Sequence, residues 1–218
     1  MARRRSLKVN RPIGNSTCRY EHLSFDPNTN HWENVSSGSA TGAMVSNLAA
    51  WPLFPGDATK QAAVNTNAEL QAITSCTIEC WVKLAAINTP PGNHCFFGKW
   101  AQLGAAYITG SPAGKLHYNN PVGGGVGGSQ TLAIDTWYHI VVSATNGAPG
   151  SAVLYLNGTA VDTGTWTANT TLTWPLMAGQ FPGFWPLNGS LDTARLYPYA
   201  MSQDEVLRNY RGGLARHQ

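Results

Sequence analysis

Charge is scarce in this chain: only 11% of its 218 residues are Asp, Glu, Lys or Arg. The carboxylates number eleven, and their only adjacent pair is Asp204-Glu205. Glycoside cleavage needs two carboxyl groups held about 5–9.5 Å apart across the scissile bond. No strand-like segment alternates carboxylates in that way, and Glu79 has none two residues away. A protein that is not an enzyme is therefore expected. Long apolar runs are also missing. The charge-free stretches 136–161 and 163–191 are broken by Pro149, Pro175, Pro182, Pro186 and many Gly, Thr and Asn. Neither can form a membrane-crossing helix of about 20 apolar residues. The N-terminal arginines lead into no apolar segment, so no secretory signal is read and a soluble chain without membrane contact is expected.

Cysteine is sparse as well, with Cys18, Cys76, Cys80 and Cys95 only. Cys76 and Cys80 on one strand would lie too far apart to pair, and their spacing lacks the second Cys/His pair of a zinc site. They read as buried free thiols. Cys80 or Cys95 beside His94 or His139 forms no spacing typical of a nucleophile and base. Gly123–Gly128 lacks the Lys-Ser/Thr of a phosphate-binding loop and reads as a flexible connection.

The charge that is present is unevenly placed. The net value of +3 averages six bases and no acid in residues 1–20 with a net of −3 over the remainder. A uniformly basic nucleic-acid-binding domain is excluded by that distribution. Residues 1–16 read as an extended basic arm carrying Arg3, Arg4, Arg5, Lys8 and Arg11, and residues 17–218 as one folded domain.

Within that domain the apolar pattern has period two. In Thr77–Leu84 the even positions are Ile, Cys, Val and Leu, which predicts a strand with one apolar face. Trp137–Ala144 repeats the pattern. Ala152–Leu156 and Thr159–Asp162 flank Asn157-Gly158 and predict a hairpin. Shorter strands are expected at 95–100, 105–109, 115–118 and 189–197. The convincing helix runs from Ser202 to Arg211, opened by a Ser202/Glu205 capping box and stopped by Gly212-Gly213. Many short strands with frequent turns and one helix predict an all-β, antiparallel two-sheet sandwich.

The ordered series Thr77–Lys83, Phe97–Lys99, Thr136–Val142, Leu154–Gly158 and Gly189–Tyr197, followed by Met201–Val206, resembles the laminin-G-like, concanavalin A-like lectin/glucanase superfamily. The resemblance implies a jelly-roll fold whose members bind glycans or protein partners, sometimes through calcium, and occasionally cleave polysaccharides. Such domains also occur in phage virion proteins. The expected function is thus a virion structural protein, a capsid decoration or tail-associated protein, that attaches through its arm; a carbohydrate-binding lectin module is the alternative. The arm is expected to contact other virion proteins rather than nucleic acid, and the protein to form a homo-oligomer. The expected location is the virion, assembled in the host cytoplasm, with the cell surface as the alternative.

For the domain itself, the loop aromatics Trp100, Trp166, Trp174, Phe184 and Trp185 are candidates for stacking on sugars or sealing an interface. No cofactor is expected. Calcium has weak candidate ligands in Asp135, Asp162 and Asp192, each near a strand end.

Overall fold

The computed structural model describes residues 21–26, 31–34, 53–56, 62–64, 68–87, 92–110, 113–120, 124–181 and 185–217. The basic arm with Arg3, Arg4, Arg5, Lys8 and Arg11, together with Cys18 and Phe184, lies outside these residues. Among the described residues fourteen strands and two helices follow in chain order. These are β1 Glu21–Asp26, β2 His31–Asn34, β3 Leu53–Pro55, β4 Ala62–Val64, α1 Ala68–Gln71, β5 Cys76–Leu84, β6 His94–Lys99 and β7 Gly104–Gly110. Then come β8 Ala113–Asn120, β9 Gly124–Thr131, β10 Trp137–Thr145, β11 Gly150–Leu156, β12 Thr159–Trp166, β13 Leu176–Ala178, β14 Asn188–Tyr197 and α2 Gln203–Leu214.

The strands form two antiparallel sheets. One has eight strands in the order β12-β11-β10-β5-β14-β1-β2, with β3 also pairing β14. The other has six, in the order β4-β13-β6-β7-β8-β9. Their facing sides close one core, as period-two alternation requires. From the larger sheet come Ile78, Cys80 and Val82 of β5 and Ile140 and Val142 of β10; from the smaller come Phe97, Ile108, Leu116 and Tyr118. Cys76, Cys80 and Cys95 are buried free thiols, and burial pushes the Cys76 thiol up to about 12. The hairpin at Asn157-Gly158 joins β11 to β12, with Asn157 at φ 51° in the left-handed turn conformation.

Two sequence expectations are corrected. Gly124–Gly128 of the glycine-rich segment are not a loop but part of β9, the edge strand of the smaller sheet. Gly124, Gly127 and Gly128 take φ of 100°, 130° and 97°, which side chains avoid. The strand therefore carries no apolar alternation to read. Gly212-Gly213 also fails to stop α2, which continues to Leu214. The pair serves a close approach: a Cβ on Gly213 would lie 2.6 Å from Trp81 Nε1. The predicted capping box is present, with Ser202 and Glu205 exchanging hydrogen bonds.

Helix α2 lies over the outer face of β5, β10 and β14, so residues opposite the core on these strands are buried too. Its lead-in is held by Thr77 and Ser143. The Met201 N–H donates to Thr77 Oγ1 at 2.9 Å, and Ser143 Oγ donates to the Met201 carbonyl at 2.8 Å.

Candidate functional site

Two clusters outside the core carry chemistry, one on each sheet. Under α2, Glu79 is fully buried and fully engaged. Its Oε1 lies 2.9 Å from His139 Nε2 and accepts from Arg195 Nη1 at 3.3 Å. Its Oε2 accepts from the Tyr197 hydroxyl at 2.9 Å and from Asn209 Nδ2 at 3.1 Å. Burial alone would raise its pKa, but the Arg195 guanidinium, His139 and Tyr197 together hold it at about 2. Beside it Trp81 stacks on His217 with centroids 3.9 Å apart and on Tyr210 at 5.7 Å. His217 Nε2 in turn lies 2.8 Å from Asp192 Oδ2. These contacts join the sheet to α2 or the residues after it, or link neighbouring strands. Its chemistry is that of a clamp, with both Glu79 oxygens buried and taken up by protein groups.

The other cluster lies on the outer face of the six-stranded sheet. Register places Cys95, Tyr107, His117 and Gly127 opposite one another across β6, β7, β8 and β9. Strand β8 alternates strictly: Leu116, Tyr118 and Asn120 are buried inward, while Lys115, His117 and Asn119 are half-buried on the outside. The Cys95 N–H donates to the Trp185 carbonyl at 2.9 Å, which lays the segment before β14 across this face. Trp185 sits at φ 57°, in the left-handed region, a strained setting for a bulky residue that the surroundings must hold in place.

A continuous series of rings results. Trp100, in the turn after β6, meets Phe181 at 4.7 Å and Trp185 edge-on at 5.3 Å. Trp185 stacks on Tyr107 at 5.0 Å, and Tyr107 on His117 at 5.7 Å. Phe181 is the buried base of this series, with Cys95 and Ala105, while Trp100, Trp185 and His117 remain half-buried. Burial raises the Tyr107 pKa and lowers that of His117, which Lys115 lowers further and Asp162 opposes. At neutral pH the strip is thus a row of neutral rings. Such a surface matches the apolar faces of sugar rings or of another aromatic partner.

The sequence-predicted residues divide accordingly. Trp100 and Trp185 are brought together. Trp166, expected among the exposed stacking aromatics, is instead a core residue: it is fully buried and its indole N–H donates to the Leu103 carbonyl at 2.9 Å. Trp174 is half-buried, and its carbonyl accepts from Lys99 Nζ, as does the Gln102 side chain. Burial lowers Lys99 to about 8. The three calcium candidates sit on different elements. Asp135 follows β9, Asp162 on β12 accepts from Ser129 Oγ at 2.6 Å, and Asp192 on β14 faces His217. Among the described residues no group of three His, Cys, Asp or Glu gathers as a metal site would need. Tyr107 and His117 were missed, although both stand at alternating positions of their strands.

Among the described residues no helix is long and apolar enough to cross a membrane. No curated protein matches the chain. Solved structures with the same fold include the binding domain of Paraclostridial Mosquitocidal Protein 1, at TM-score 0.65 and 15% identity, covering 89% of this chain and 52% of that one. The binding domain of Botulinum Neurotoxin DC, in complex with SialylT, gives TM-score 0.63 at 12% identity, covering 90% and 52%. A Trypanosoma rangeli sialidase gives 0.62 at 13%, covering 88% and 32%. The chain therefore spans about half of the toxin domains and a third of the sialidase, and at these identities the likeness is one of fold. Residues 57–207, more than half of the chain, match the laminin G family model described as the concanavalin A-like lectin/glucanases superfamily. With the sandwich and its C-terminal helix, this match makes the chain a member of that superfamily.

Proposed function

We propose that the protein is a non-enzymatic display module whose jelly roll binds glycans through the aromatic strip of the six-stranded sheet. The observation that carries the reading is the ring series Trp100, Trp185, Tyr107 and His117, three of whose members stay half-buried on one sheet face. A toxin binding domain of the same fold is described in complex with SialylT, and another toxin's cell entry is described as dependent on two ganglioside molecules. The engagement of Glu79 under α2 supports a binding role over a hydrolytic one. Trp185→Ala is expected to weaken binding about 30-fold, as for a central ring whose loss costs about 2 kcal/mol. A glycan array with wild type, Trp100→Ala and Trp185→Ala measures this. Equal retention by all three would remove the strip as the site.

The arm favours an accompanying reading. Its five bases without an acid suit an anchor on an acidic protein surface of a virion-like assembly. Deleting residues 1–16 is expected to abolish co-sedimentation with the assembled particle while leaving the unfolding midpoint of the domain unchanged. Retained co-sedimentation would refute the anchor.

A further inference from the structure

The two sheets differ in charge. The eight-stranded sheet carries Glu21, Asp26, Glu33, Glu79, Asp162 and Asp192, whereas β4, β13, β6, β7, β8 and β9 contain no carboxylate. No acidic residue occurs anywhere from 80 to 134. The bases on the smaller sheet are Lys99 and Lys115. Lys99 is buried, its Nζ donating to Gln102 and to the Trp174 carbonyl. Lys115 is half-buried on the outer face, two residues from His117 and hence on the same side of β8. Asp162, on β12 of the other sheet, accepts from the Ser129 hydroxyl at 2.6 Å and is felt at His117, where Lys115 opposes it. Around His117 the strip thus ends in a cation, with Asn119 as a neutral polar neighbour on the same face of β8.

Resting on the strip as the binding face, we infer that its ligand is an acidic glycan, whose carboxylate pairs with Lys115 while a sugar ring packs along Tyr107 and His117. The sheet itself adds no carboxylate to repel such a ligand, Lys115 offsets the one that reaches His117 from β12, and a charge-assisted contact selects an acidic sugar over a neutral one. Sialic and uronic acids share this chemistry, and the probes separate them.

The test is titration of the full chain with 3′-sialyllactose, a hyaluronan tetrasaccharide and lactose. Wild type is expected to bind at least one acidic probe about fivefold or more tighter than lactose. Lys115→Gln should remove that preference and leave lactose binding within about twofold. The acidic probe that wins identifies the sugar class. Equal or tighter binding of lactose, or a preference that survives Lys115→Gln, overturns the inference. If lactose binding is still lost in Tyr107→Ala, the glycan-binding strip stands without it; if no probe binds wild type, both fall.

Discussion

Replacing Glu79 with alanine should destabilise the fold by about 3–5 kcal/mol, as for a buried ion pair that loses one partner. The carboxylate is the shared acceptor for groups from two neighbouring strands, β10 and β14, and from α2. Its removal leaves the largely buried Arg195 guanidinium, the Tyr197 hydroxyl, Asn209 and His139 without their partner. The same group sets an acid limit. A carboxylate held at about 2 instead of 4.5 contributes stability that is complete above 4.5 and is lost as the pH falls toward 2. Over that window the loss is roughly 3 kcal/mol. Urea midpoints at pH 6 and pH 3 measure both effects. Glu79→Gln should flatten the acid dependence, and a Glu79→Ala midpoint equal to wild type would contradict the clamp.

Trp166→Ala should cost a further large amount, about 3–5 kcal/mol, through the cavity it leaves in a close-packed core. Its indole N–H and the Tyr118 hydroxyl both donate to the Leu103 carbonyl, so truncation removes packing and a buried hydrogen bond together. Thermal unfolding is the measurement. Glycan retention by the folded fraction should stay at the wild-type level, because Trp166 is on the inside of the sandwich and Trp185 is on the outside of the smaller sheet. A stability loss below about 1 kcal/mol would mean that the side chain is not part of the core.

Strands β5 and β10 were legible because each buries one apolar face, and the hairpin because Asn157-Gly158 interrupts two apolar runs. Strand β9 was not, since it is held by backbone pairing and its glycines leave no side-chain period. Trp166 misled for a related reason. The polar Thr163-Gly-Thr165 before it looks like a loop, yet these residues extend β12 until the indole turns inward. The aromatic strip was half legible. Trp100 and Trp185 were visible as loop aromatics, but their meeting with Tyr107 depends on the register of β6, β7 and β8 and on a hydrogen bond from Cys95 to a carbonyl 90 residues away. Separation along the chain says nothing about such a juxtaposition.

The two glycines inside α2 bear on the order in which the molecule assembles. Each weakens an isolated helix by about 1 kcal/mol relative to alanine, and a helix of 12 residues is already marginal in water. The last turn of α2 thus has little persistence before Trp81 is in place to receive it. Strands β5, β10 and β14 must pair first and present the indole and the Glu79 carboxylate as a template. The helix is then the closing step of folding, and its backbone amides should be the first to exchange with solvent when the native state opens.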